Sequence, residues 1–192
     1  MMDAGYLTQP AVFLIDTLFG LYLFALVLRF LFQWFNADYY NPISQFVVKI
    51  THPPLRLLRR VIPSIGRIDT ANIVLMLAVQ MLASYLLMLL QGVDLGIAAL
   101  AVFSISQLLD LILNILFFSV VIAAVLSWFH VSRYNPAVAL LYSLTEPMLR
   151  WSRKLLPPMS GIDLSPMIPI IGIQLVKMLV MPPLDQLVRM LA

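Results

Sequence analysis

The sequence contains no cysteine, little charge and few glycines. The missing thiols exclude disulfides, thiolate nucleophiles and Cys-based zinc or iron–sulfur ligation. Charged residues make up 11 % of the chain against 62 % hydrophobic ones, whereas soluble domains carry roughly 25 % charged and about 45–50 % apolar residues. At a mean hydropathy of +0.97, a chain of 192 residues has more apolar surface than a soluble core can hide. Also missing are a phosphate-cradling glycine loop, a Gly-x-Ser-x-Gly elbow, a His-Glu-x-x-His pair and carboxylates paired for acid–base work in water. The chain is expected not to be an enzyme and to hold no cofactor. His52 and His130 have no second ligand at metal spacing, so no metal is expected either. Residues 1–10 hold no Lys or Arg and lead into an apolar run too long for a signal-peptide core, so that run is expected to be retained as a span.

What is present is an internal repeat. Asn41-Pro42 recurs as Asn135-Pro136, an offset of 94, and the same offset carries Trp34-Phe35 onto Trp128-Phe129 and Thr51-x-Pro53 onto Thr145-x-Pro147. It also relates Arg56 to Arg150, Arg59-Arg60 to Arg153-Lys154, Pro63 to Pro157 and Ile68-Asp69 to Ile162-Asp163. Gly66 and Gly161 are one residue out of step. Two polar positions inside apolar runs match as well, Asp16 with Asp110 and Gln80 with Gln174. The chain is therefore a tandem duplication, residues 1–94 and 95–192.

Each copy holds two apolar stretches near the roughly 20 residues that a bilayer core demands of a helix. The expected spans are 11–35 and 71–90 in copy one, and 105–129 and 166–181 in copy two. The predicted fold class is an all-α membrane protein of four transmembrane helices. An even number of spans per copy makes the repeats parallel, related by an axis along the membrane normal. Leu95–Phe103 is expected to form a short helix near the interface or a kinked extension of the third span.

Loop charge sets the predicted orientation. The first long loop carries Lys49, Arg56, Arg59, Arg60 and Arg67, the second Arg133, Arg150, Arg153 and Lys154; residues 1–10 and 91–104 carry no Lys or Arg. The positive-inside rule then places both loops in the cytoplasm and both termini outside, in the inner (plasma) membrane.

Both loops read as structured. Asn41 and Asn135 suit a helix N-cap, with Pro42 and Pro136 at the first helical position. Ile43, Phe46, Val47 and Ile50 follow at helical spacing, as do Ala137, Leu140, Leu141 and Leu144. Pro53 and Pro147 are expected to end these helices. A second short piece sets Leu55, Leu58 and Ile62 opposite Arg56, Arg59 and Arg60, the pattern of a helix lying in the headgroup plane. Trp34, Phe35, Tyr39 and Tyr40, with Trp128, Phe129 and Tyr134, mark the same level. Asp69 and Ser165 are the expected N-caps of the second and fourth spans, with Pro166 following Ser165.

In copy one the diagnostic residues are Trp34, Asn41-Pro42, Thr51-x-Pro53, Arg59-Arg60-Val61-Ile62-Pro63 and Gly66-x-Ile68-Asp69; in copy two they are Trp128, Asn135-Pro136, Thr145-x-Pro147, Arg153-Lys154-Leu155-Leu156-Pro157 and Gly161-Ile162-Asp163-x-Ser165-Pro166. Over nearly the whole chain, in doubled form, these resemble the YggT (YlmG) family of bacterial and plastid membrane proteins. Copy one departs in having Asn72 where copy two has Pro166. The resemblance implies a small membrane protein without a settled biochemical activity. Its members are associated with osmotic-shock tolerance and potassium uptake, with cell division and nucleoid distribution, and in plastids with haem attachment to a cytochrome complex.

Ionisable residues at membrane depth cost about 2.5–3.5 kcal/mol and are functional candidates by default. Here they are Asp16, Asp110 and Lys177, accompanied by Gln80 and Gln174. One reading joins the five into a polar seam for a cation or proton. The other pairs Lys177 with an aspartate and has the glutamines bond across helices. Arg29 is expected to snorkel to the interface. The duplicated cations Arg56, Arg59, Arg60, Arg150, Arg153 and Lys154 fit anionic lipid headgroups or a protein partner, and nucleic acid is not expected. The leading expectation is a non-catalytic membrane scaffold or assembly factor tied to envelope physiology such as osmotic tolerance. The alternative is a component of potassium or proton transport, working as a homo-oligomer.

Overall fold

The computed structural model describes residues 4–66, 68–129, 135–156 and 163–192, without the side chains of 4–7 and 128. Arg67, His130, Arg133, Tyr134, Pro157, Gly161 and Ile162 lie outside the described residues. The described chain forms six helices: α1 (Ala4–Trp34), α2 (Pro42–Leu58), α3 (Thr70–Gln91), α4 (Ile97–Trp128), α5 (Pro136–Leu155) and α6 (Met167–Leu191). Among the described residues there is no strand, only an isolated bridge between Ile65 and Ile68. Four helices, α1, α3, α4 and α6, are long and apolar enough to cross a membrane.

α1 packs chiefly on α3, and α4 on α6, so each copy is a hairpin of two spans; α3 against α4 joins the copies. Both short helices sit at the same end of the bundle. The Asn41 side-chain amide donates to the Pro136 carbonyl at 2.8 Å, tying the start of α2 to the start of α5. The two repeats are therefore parallel.

The helices start where the sequence supplies caps. Asn41 Oδ1 accepts from the Ile43 N–H and Asn135 Oδ1 from the Ala137 N–H, each at 2.9 Å. Asp69 caps α3 by accepting from the Asn72 N–H at 3.3 Å. α1 closes on Asn36 in the left-handed region (φ 52°), and α3 on Gly92 (φ 69°), a residue for which that conformation carries no Cβ penalty.

Several expectations change. α4 is one unbroken helix of 32 residues, about 48 Å at 1.5 Å per residue. Leu95–Phe103 is thus no separate interfacial helix; Gly96 precedes the helix start, and nothing between Ile97 and Trp128 is a proline or glycine. α1 begins at Ala4 rather than Ala11 and passes through Pro10, and α6 continues past Met181 through Pro182 and Pro183 to Leu191. α2 runs through Pro53 and Pro54, and α5 through Pro147, so neither loop divides into two pieces there. The carbonyls that Pro53 and Pro54 cannot bond belong to Lys49 and Ile50, both exposed residues, so no buried acceptor is stranded.

The buried face of α2 also differs from the apolar one read in the sequence. Ser44, Val47, Thr51 and Leu55 point inward, while Phe46 and Ile50 are exposed. On α5 the inward residues are Val138, Leu140, Leu144, Thr145, Leu149 and Ser152, with Ala137 exposed. Thr51, Thr145 and Ser152 can face inward because they return their hydroxyls to the helix: Thr51 Oγ1 donates to the Val47 carbonyl at 2.6 Å, Thr145 Oγ1 to Leu141 at 2.9 Å and Ser152 Oγ to Met148 at 2.9 Å. The main core joins Leu26, Val27 and Leu31 of α1 to Leu55, Leu75, Leu108 and Leu144; a smaller one holds Val120, Ala123, Leu149 and Ile173.

Candidate functional site

Polar side chains gather in two places, one between the long helices and one around α2 and α5. Between α1, α3 and α4 lies a cavity of about 380 Å³, lined by Asp16, Gln80, Ser84, Gln107, Asp110 and Asn114 among others. The structure thus brings together Asp16, Gln80 and Asp110 but leaves Gln174 and Lys177 outside the lining. Gln80 Nε2 donates to Ser84 Oγ, one turn along the same helix, at 3.2 Å. This bond of Gln80 runs along its own helix and not between helices.

Asp110 has a complete set of partners. Lys177 Nζ lies 2.7 Å from its Oδ1, Asn114 Nδ2 donates to its Oδ2 at 2.8 Å, and Lys177 Nζ also donates to Asn114 Oδ1 at 2.8 Å. Opposite charges meet as a closed triangle joining α4 to α6. Asp16 has no cation partner among the described residues. The offset explains the contrast: Lys177 corresponds to Ala83 and Asn114 to Gly20, so copy one kept the acid and lacks both partners. Asn114 escaped the sequence reading for that reason, since a search for matched polar pairs passes over a residue opposite glycine. Its spacing of four from Asp110 is the signal that could have found it.

Arg29 does not snorkel. It is 8 % exposed, and its Nη1 donates to Thr51 Oγ1 at 2.8 Å and to the Val48 carbonyl at 3.3 Å. The inward Thr51 and the turn of α2 that carries it give the guanidinium acceptors beside its own helix, so it need not reach outward.

Around α2 and α5 the basic residues divide. Arg59 is ion-paired to Asp69, and Arg153 Nε to Asp163 Oδ2 at 3.2 Å, at matching positions of the two copies. Arg153 also meets Glu146 at 3.4 Å. Each pair fastens the C-terminal end of a short helix to the residues preceding the next span. Ser165 does not cap α6. The Met167 and Ile168 N–H groups are taken by the Leu164 and Ser165 carbonyls, and Asp163 Oδ1 accepts from the Ser165 N–H at 2.9 Å. Burial pushes the Asp163 carboxyl up, but its hydrogen bonds from Ser165 and the Arg153 guanidinium outweigh that and hold it below the usual carboxylate value. Arg56, Arg60, Arg150 and Lys154 are exposed and make no ion pair among the described residues. Trp34, Tyr39 and Tyr40 are exposed at the same level. No group of three or more potential metal ligands occurs among the described residues.

A family model described as CCB3/YggT matches twice, at residues 8–90 and 102–184, reproducing the 94-residue offset. The chain is similar to an uncharacterized protein of Pseudomonas aeruginosa, 40 % identical over 91 % of this chain and 89 % of that protein. It is similar to the uncharacterized protein YggT of Escherichia coli K12, 39 % identical over 86 % of each. A Vibrio alginolyticus protein, described as uncharacterized in the proC 3′ region, is 39 % identical over 87 % of this chain and 91 % of that one. No solved structure matches.

Proposed function

Since this chain belongs to the CCB3/YggT family as a tandem pair of repeats, we propose that it is a non-enzymatic scaffold or assembly factor of the inner membrane, supporting envelope physiology such as osmotic-shock tolerance. The observation that carries this reading is a braced platform with outward cations. Arg59–Asp69 and Arg153–Asp163 pin α2 and α5 to the spans, Asn41 links the two helices, and Arg56, Arg60, Arg150 and Lys154 are left facing out. An exposed set of like charges on a fixed frame suits anionic headgroups or an acidic protein surface. The positive-inside rule puts that platform in the cytoplasm. Because the sequence has no cysteine, thiols introduced by Ser64→Cys and Lys154→Cys are each unique; both are expected to resist an impermeant maleimide until cells are permeabilised.

The joint variant R56Q/R60Q/R150Q/K154Q leaves both ion pairs intact and is expected to lose crosslinked partners and hyperosmotic-shock complementation at normal expression. Wild-type crosslinking and complementation by that variant would overturn the scaffold reading. The second reading, cation transport, is favoured by Asp16, an acid without a cation partner in a polar cavity. It requires flux in proteoliposomes that Asp16→Asn abolishes. Against it stands Lys177, already neutralising Asp110.

A further inference from the structure

A cavity of about 580 Å³ opens where the end of α1 meets α2, lined by Arg29, Tyr39, Ser44, His52 and Arg59 among others. No carboxylate lines it among the described residues. Arg29 is buried, its charge has no acidic partner among those residues, and both of its hydrogen bonds use Nη1. Nη2 and Nε have no partner among the described residues. A buried guanidinium hydrogen-bonded only to neutral groups, with the Arg59 cation beside it and Asp69 beyond ion-pair distance and already paired to Arg59, is costly, and a counter-anion reduces the cost. Ser44 is 3 % exposed, and its Oγ is buried without a partner. Arg59 spends Nη2 on Asp69 and keeps other N–H donors.

The repeat supplies an internal control. At the offset of 94, Arg29 corresponds to Ala123, Ser44 to Val138 and His52 to Glu146. Copy two keeps the asparagine cap and the arginine–aspartate pair, so the fold does not demand the residues of this cavity. These three replacements remove the buried guanidinium and its neighbouring hydroxyl and add an acid, while Arg153 and Arg133 stand where copy one has Arg59 and Tyr39.

We propose that this cavity binds the phosphate of an anionic phospholipid, with Arg29 as the forked donor and Ser44, His52 and Arg59 completing the shell. The fork geometry of guanidinium suits phosphate oxygens, and the site lies about five residues inside the end of α1, roughly 8 Å at 1.5 Å per residue, within reach of a headgroup. The proposal rests on the membrane reading and not on the exposed cations of α2 and α5.

The test counts lipids bound to the purified full-length protein in detergent by native mass spectrometry, titrating phosphatidylglycerol, phosphatidylcholine and inorganic phosphate. Wild type is expected to bind one phosphatidylglycerol at least tenfold tighter than phosphatidylcholine. Arg29→Gln and His52→Glu are expected to lose tenfold or more, and Ser44→Val severalfold. R56Q/R60Q/R150Q/K154Q is expected to keep this one lipid, so that failure of the scaffold reading leaves this site standing. Should Arg29→Gln fail to fold, Ser44→Val and His52→Glu carry the test, because both place copy two's residues on copy one's frame. Equal retention by folded variants, or no headgroup preference in wild type, would overturn the site. Competition by inorganic phosphate at the lipid's own concentration would overturn the lipid and leave a free-phosphate site.

Discussion

The two copies share a frame and differ in where they bury charge. Both have an asparagine cap, an inward threonine and an arginine–aspartate pair at matching positions. Copy one places its span cation at Arg29, close to α2, where copy two has Ala123; copy two places its own at Lys177, where copy one has Ala83. Lys177 is matched by Asp110 and Asn114, whereas Arg29 meets only a hydroxyl and a carbonyl. After duplication, features that hold helices in place stayed paired, and the polar contents of the bundle went separate ways. Elements present twice therefore report on the shared frame, and those present once on what each copy does separately.

The sharpest way to break this comparison is to remove each aspartate of the long helices. Asp110→Leu strands Lys177 and is expected to cost on the order of 3 kcal/mol, the penalty for an unpaired charge at membrane depth. Asp16→Leu is expected to leave stability unchanged or raise it. Thermal unfolding in detergent measures both, and adding Lys177→Met to Asp110→Leu should recover most of the loss. Equal effects at the two sites would erase the distinction between a closed triangle and an open cavity.

A smaller difference is expected at the shared ion pairs. The Asp69 side chain is 4 % exposed and caps α3, whereas that of Asp163 is 21 % exposed and caps no helix. Asp69→Ala should cost about 2 kcal/mol and Asp163→Ala about 1 kcal/mol, from the usual worth of a cap and of a partly exposed pair. The smallest effect concerns pH. The folded Asp163 carboxyl titrates below its unfolded value, so its contribution is complete above the ordinary carboxylate pKa and disappears as pH falls through the folded value. Melting curves below about pH 4 should show wild type converging on Asp163→Asn, with no convergence near neutrality.

Much of this architecture was legible because it is local or repeated. Asp69 announces a helix start by residue type alone, and a single offset exposes the duplication without any three-dimensional information. The pairing of Arg59 with Asp69 was not legible, although both residues stood out, because the nine residues between them must fold back through the Ile65–Ile68 turn first. The inward face of α2 was misread for a related reason. Apolar periodicity assumes that grease faces protein, but beside lipid Phe46 and Ile50 can turn outward while Ser44 and Thr51 turn in, Thr51 satisfied by the helix and by Arg29. Pro53 and Pro147 read as stops because a proline's missing donor matters most where the abandoned acceptor is buried, and burial is invisible in one dimension.

α6 contributes Ile173 as its buried residue, and most of its surface faces away from the rest of the chain. A smooth apolar rod can slide or spin against its neighbours at little cost. Lys177 removes that freedom, since its ammonium group reaches Asp110 at one depth and one rotation. α4 precedes α6 in the chain, so the carboxylate is synthesised ahead of the lysine that pairs with it. In the folded hairpin α6 sits like a key in a lock, with a single charged tooth setting its depth.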